Sequence, residues 1–339
     1  MNKAQPIIAL MIGLYSQYGT AGPIELMNEY NLIVLGDLVS TSEVEGRTLV
    51  SGDLSGSASN YGIHLPNGVG SQFDNALVVG GDLAANTTIN IKDSYSVSIG
   101  GAIDGTINPD STTVNTDLSE YDFDLIQSDF TNFSGYLSEL ASNSFLSTPQ
   151  GSQPGAATFN VSDSVANVDV AVFNIEADDF FNNTLIQQYD ITFPSILGAS
   201  SVVINVAGES INDTMFSGNA VGNFLNVLTQ ETIVWNFYEA LDITLSKKFN
   251  GSLLAPLATL TNYTPIEGTV VVNDFYQYGE IYDSLYAAGM DYTPNSEQPP
   301  VSVPEPNTSL LFLFGLLTLM TLSRSSLLNI IKNKPIKLS

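Results

Sequence analysis

Three stretches decide the fold: Leu32-Ile33-Val34-Leu35-Gly36-Asp37-Leu38, Thr48-Leu49-Val50-Ser51-Gly52-Asp53-Leu54 and Leu77-Val78-Val79-Gly80-Gly81-Asp82-Leu83. Each is a strand-length run of β-branched and aliphatic residues closed by a Gly-Asp turn, and Val97-Ser98-Ile99-Gly100-Gly101-Ala102-Ile103 is a weaker copy. Glycine at such a turn reads as a residue chosen for backbone angles that other residues avoid, and its aspartate as a side chain bonding nearby backbone. Asp37 and Asp53 lie 16 residues apart, Asp53 and Asp82 29, and Gly81 and Gly101 20. Variable loops between constant strand units suit a parallel β-solenoid in which each coil stacks on the previous one, with a β-sandwich as the alternative.

The second half repeats the theme in Val168–Val172, Val202–Val206, Thr232–Phe237, Leu241–Leu245, Gly251–Pro256 and Gly268–Val272. One segment departs from it. From Asp117 to Leu140, Leu118, Tyr121, Leu125, Ile126, Phe130, Phe133, Leu137 and Leu140 recur at mostly three- to four-residue steps. That spacing predicts an amphipathic helix over 117–140, capped by Asp117 with Glu120, weakened at Gly135 and packed along the β stack.

The 339 residues include 35 Asp and Glu, nine Lys and Arg, one His and no Cys, for a formal charge of −26. Disulfides, Cys-ligated zinc, iron–sulfur clusters and thiol nucleophiles are excluded. Five of the nine basic residues (Lys3, Arg324, Lys332, Lys334, Lys337) sit near the ends, so the middle carries all 35 acids against four bases. That field repels nucleic acid and anionic lipid headgroups. A positive start, the apolar stretch 6–15 and Gly19-Thr20-Ala21 predict a signal peptide over residues 1–21, cleaved by signal peptidase after Ala21, and hence export. The domain then runs over 22–292, followed by a Pro-rich linker at 293–302. Residues 310–322 predict a short hydrophobic helix, marginal as a membrane span, before a basic tail.

Val303-Pro304-Glu305-Pro306, that apolar helix and Arg324 with its tail, in this order, resemble the PEP-CTERM sorting signal of Gram-negative bacteria over residues 303–339, although a single Arg324 stands where the family has an arginine cluster. The resemblance implies transient inner-membrane anchoring through this helix alone, processing by an exosortase-type enzyme, and a destination at the cell surface or outside the cell, beside exopolysaccharide. The body from Tyr30 to Tyr282 resembles the choice-of-anchor A domain. The likeness is carried by Tyr30–Asp37, Val44-Glu45-Gly46-Arg47, Trp235-Asn236-Phe237, Gly251–Pro256 and Ile266–Val271, while Gly279-Glu280-Ile281-Tyr282 lacks a His usual there. This second resemblance implies an adhesive surface protein and supplies no catalytic residues.

The residues themselves offer little chemistry. His64 is the only imidazole and has no nucleophile elbow beside it. Gly68-Val69-Gly70 ends at Phe73, which rules out a dinucleotide fingerprint. The acid pairs Asp122/Asp124, Asp178/Asp179 and Glu43/Glu45 keep open an alternative function, a carbohydrate-active hydrolase. Arg47, Lys92, Lys247 and Lys248 are the whole cationic supply for gripping an acidic polysaccharide. Clustered carboxylates leave calcium open, but no calcium-binding motif appears and no ligands are assigned; no other cofactor is expected. Trp235 reads as core. Ice binding needs a flat array of regularly spaced threonines, and Thr87-Thr88 with Thr112-Thr113 do not make one. The expectation is an exported adhesive or structural surface protein without catalysis.

Overall fold

The computed structural model describes residues 21–65, 75–92, 95–162, 170–194, 201–290 and 292, all within the compact unit Met1–Pro294. The signal segment upstream of Ala21, the linker, Val303–Pro306, Arg324 and the helix at 310–322 lie outside the described residues.

Among the described residues the strands form sheets of 14, seven and four strands. Every pairing between named strands is parallel except Phe145–Ser147 with Gly155–Asn160. The fold is a parallel β-solenoid, and the β-sandwich alternative, which needs antiparallel ladders, is overturned. Inward side chains of all three sheets make one core, in which Trp235 is surrounded by Phe159, Phe180, Phe181, Phe224 and Phe249.

The coils do not stack in chain order, which corrects the expectation that each turn lies on the one before. Starting from Tyr30–Val34, strands Arg47–Val50, Asn75–Val79, Ser96–Ile99 and Val114–Asn115 proceed toward one end. The chain then crosses back, and Val170–Glu176, Ser201–Ala207, Ile233–Asn236, Ser252–Asn262 and Val270–Gln277 wind from the other end toward the start. The last strand pairs with the first through Leu32 and Val270, Ile33 and Val271, and Val34 and Val272. Asn31 fastens this central seam: its Nδ2 donates to the carbonyls of Gly268 at 3.2 Å and Tyr282 at 2.9 Å, and its Oδ1 accepts from Gly46 N at 3.1 Å.

Two helices cover the outer side of the central strands. Helix α1 is Pro23–Glu29 and helix α2 is Phe123–Ser138. Leu26 and Met27 of α1, and Ile126, Phe130, Phe133 and Leu137 of α2, bury against Ile33, Leu49, Val203, Val234, Leu254 and Val271. A helix lying along the stack was expected, but α2 starts at Phe123, not at 117. Asp122 is its cap, accepting from Leu125 N at 3.0 Å, whereas Asp117 closes a separate turn onto Ser119 N at 3.0 Å. At ~1.5 Å per residue, 16 helical residues span about 24 Å, or about five coils of ~4.8 Å. The return from Val114–Asn115 to Val170–Glu176 crosses nine strand steps, about 43 Å, and the helix supplies rather more than half of it.

Candidate functional site

The glycine of each Gly-Asp turn answers to the coil next to it. Asp37 N donates to Asp274 Oδ1 at 2.9 Å, Asp53 N to Asp37 Oδ1 at 2.8 Å, Asp82 N to Asp53 Oδ1 at 2.7 Å, and Ala102 N to Asp82 Oδ1 at 2.6 Å. A Cβ on Gly36, Gly52, Gly81 or Gly101 would overlap the neighbouring aspartate oxygen. None of these four glycines has a positive φ. The expectation that they serve unusual backbone angles is therefore corrected: they make room for the carboxylate below. The aspartates do bond nearby backbone, but it is backbone of the next coil.

This ladder borders a face that no helix among the described residues covers. The strands Ser210–Asn212, Asp242–Leu245, the second half of Ser252–Asn262, the second half of Val270–Gln277, Leu38–Ser40 and Leu54–Gly56 pair in parallel, and single bridges extend the row to Leu83 and Ile103. Eight coils at ~4.8 Å give a face about 34 Å long. Ile211, Ile243, Leu260, Phe275, Leu38 and Leu54 point into the core. Strand alternation sends the residues on either side of each outward. In register, one outer row reads Asn212, Thr244, Thr261, Tyr276, Val39 and Ser55, and another reads Ser210, Asp242, Thr259 and Asp274.

At the far margin the chain turns a corner around buried amides. Asn262 Oδ1 accepts from Tyr278 N at 3.1 Å and Gly279 N at 3.3 Å, while its Nδ2 donates to the carbonyls of Thr264 and Gly279, both at 3.1 Å. Gln277 accepts from Ser40 Oγ at 2.7 Å and donates to Glu43 O at 3.0 Å. The corner sets Tyr263 and Tyr278 on adjacent coils with ring centroids 5.3 Å apart and planes 4° from parallel.

The acids singled out in the sequence do not converge. Asp122 caps α2, and Asp178 accepts from Asn182 Nδ2 at 2.5 Å. Glu43 accepts from Asn60 Nδ2 at 3.1 Å. Glu45 meets His64 Nδ1 at 3.2 Å and accepts from Asp283 N at 2.8 Å. A different pair, Glu231 and Asp283, lines an open depression of about 450 Å³ with Asn28, Leu285, Tyr286 and Ala287. Desolvation, then the charge of Glu45, pushes the Asp283 carboxyl above its ordinary range. Nothing in the sequence links these two acids, 52 residues apart. Among the described residues no group of three or more His, Asp or Glu is placed to hold a metal ion. Of the cations, Arg47 is buried and Lys248 is paired with Glu267. Trp235 is buried, its Nε1 donating to Asn250 O at 3.1 Å. No helix among the described residues is long and apolar enough to cross a membrane.

The model of a family described as "Putative Ice-binding-like adhesive domain" matches residues 23–283. Among solved structures, the chain is similar to an ice-binding protein from an Antarctic biological consortium, at 14% identity and TM-score 0.29, covering 78% of this chain and 92% of that one. It is also similar to an ice-binding protein from the Antarctic ascomycete Antarctomyces psychrotrophicus, at 9% identity and TM-score 0.28, covering 77% of this chain and 98% of that one. No curated protein matches the chain.

Proposed function

The chain belongs to the ice-binding-like adhesive domain family, whose model spans residues 23–283, and from that premise we propose an exported adhesive or structural protein of a Gram-negative cell surface, linked to extracellular matrix or exopolysaccharide and without catalysis. In this reading residues 1–21 are the export signal, cut after Ala21. Residues 303–339 are a PEP-CTERM-like tail read at Val303, Pro304, Glu305, Pro306 and Arg324 by an exosortase-type enzyme, and the body is of the choice-of-anchor A type.

One observation carries the adhesive role: a parallel face about 34 Å long is left open, while the outer side of the strand segments that precede it on the same coils is sealed by α1 and α2. Its outer row changes chemistry from coil to coil, through Asn212, Thr244, Thr261, Tyr276, Val39 and Ser55, which suits contacts to a varied polymer better than to a repeating ice lattice.

Retention of the purified full-length chain on exopolysaccharide-coated surfaces is the direct test. Contacts spread over this face predict that any single Asp→Ala change leaves retention within twofold, and a single carboxylate change that abolishes it defeats the distributed reading. A second reading, hydrolysis, attaches to Glu231 and Asp283 because they share a depression and Asp283 is held toward its protonated form. Release of reducing sugar that Glu231→Gln and Asp283→Asn each abolish would move the assignment to that pair.

A further inference from the structure

The open face carries three solvent-facing aromatic rings at one margin. Tyr276 is 45% exposed, Tyr263 58% and Tyr278 47%. Tyr276 lies in register with Thr261 on one neighbouring coil and Val39 on the other. Tyr263 and Tyr278 stack on each other at the coil repeat. These three lie within two adjacent coils, whereas the other exposed aromatics among the described residues, Tyr136 and Phe145, stand apart on α2 and on the strand Phe145–Ser147, and clustered exposed apolar side chains mark contact sites.

We infer that Tyr263, Tyr276 and Tyr278 form a stacking platform for an uncharged polysaccharide, a ligand class that refines the adhesive reading and rests on it. A pyranose ring offers a face of C–H groups to an aromatic plane and a rim of hydroxyls to polar neighbours. Thr261, Thr244 and the exposed carboxylate of Asp242 supply that polar rim on neighbouring strands. Charge selects against the acidic alternative. Against a uronate chain stand the exposed Asp242 and the surplus of 35 acids over nine bases; of the cations, Arg47 is buried and Lys248 is held by Glu267, while Lys247, just past Asp242–Leu245, is exposed. The backbone beneath is rigid, because Asn262 ties the amides of Tyr278 and Gly279 and the carbonyls of Thr264 and Gly279 into one corner.

The test is affinity electrophoresis of the full-length chain in native gels containing hydroxyethyl cellulose, with alginate gels as the anionic counterpart. Retardation by hydroxyethyl cellulose and none by alginate is expected. Tyr263→Ser/Tyr278→Ser should weaken the neutral interaction at least fivefold, Tyr276→Ser should weaken it less, and Tyr276→Phe should keep it. Circular dichroism and melting temperature establish that each variant is folded, which solvent-facing positions favour. Retardation that survives the double serine variant overturns the platform, as does retardation by alginate alone. Loss of ice-crystal shaping in the double variant, with no glycan retardation in the parent, would assign these rings to ice and overturn the glycan. A chain that ignores hydroxyethyl cellulose yet is retained on exopolysaccharide-coated surfaces overturns the platform and leaves the adhesive function standing; failure on both removes both.

Discussion

A glycine and an aspartate on neighbouring coils make one joint: the carboxylate of one coil accepts the next coil's backbone N–H in the space where that coil lacks a Cβ. Gly81→Ala forces the new methyl against Asp53 Oδ1 and the Gly52 backbone. It is expected to lower stability by ~2 kcal/mol or more in urea unfolding followed by circular dichroism. The aspartates also stand one above another at the coil repeat with like charge. Asp53→Asn keeps the acceptor and removes repulsion from Asp37 and Asp82. It should match or exceed the parent by about 0.5 kcal/mol at low ionic strength, an advantage that fades in molar salt. Asp53→Ala, which loses the acceptor, should fall below the parent at every salt concentration. The Gly-Asp pairs were legible in the sequence as turns; the crowding that selects the glycine was not, because it arises between coils 16 to 29 residues apart and, at Asp37 and Asp274, 237 apart.

Helix α2 is tied to the stack by a second ladder. Asn205 Nδ2 donates to Asn174 Oδ1 at 2.9 Å and Asn236 Nδ2 to Asn205 Oδ1 at 2.8 Å; Asn205 also reaches Leu137 O at 2.7 Å, and Asn236 exchanges bonds with Ser134 at 2.6 and 2.9 Å. All of Asn205 and Asn236 is buried, so Asn236→Leu strands the partners on both elements and should cost about 3 kcal/mol in chemical denaturation. Gly135, by contrast, sits in the last turn of α2 with nothing within 4 Å of where a Cβ would stand. Gly135→Ala should raise stability by roughly 1 kcal/mol in the same measurement. At this scale the sequence revealed a good deal: the strand runs and the apolar positions 126, 130, 133 and 137 were readable from their periods. The helix start was misread because Asp117 and Asp122 are both plausible caps, and only the packing of Ile126 and Phe130 distinguishes them. Helix α1 went unseen because seven residues beginning at Pro23 carry too little periodicity. The tyrosine margin was hidden for a different reason: Thr261-Asn262-Tyr263 and Tyr276-Gln277-Tyr278 repeat at 15 residues, but the tyrosines stay wet because Asn262 and Gln277 between them turn into a buried corner formed by other coils.

Over the whole molecule, buried tyrosines set the alkaline limit. Desolvation raises the phenols of Tyr189 and Tyr286 to about 12, and burial also raises Tyr61. A phenol whose pKa is higher folded than unfolded contributes stability in full below the unfolded value near 10, and that contribution is lost as pH rises through the folded value. The unfolding free energy should therefore fall steadily between about pH 10 and 12, with tyrosinate absorbance and loss of β circular dichroism appearing together. Tyr286→Phe, which gives up one such group along with its 2.8 Å bond to Ser201 Oγ, should flatten that decline while lowering stability at neutral pH. The order of the coils was beyond the sequence, because the pairing of residues 30–34 with 270–272 leaves no local mark.

That pairing also decides where force enters. Thr269 Oγ1, on the seam, donates to Met27 O at 2.8 Å and accepts from Tyr286 N at 3.1 Å, so the segments leading into and out of the body are both pinned at mid-stack. A pull on either terminus therefore enters the stack at its middle coils, where Leu32–Val34 meets Val270–Val272 and Val44 meets Ile281, and not at an end coil that could be peeled away first.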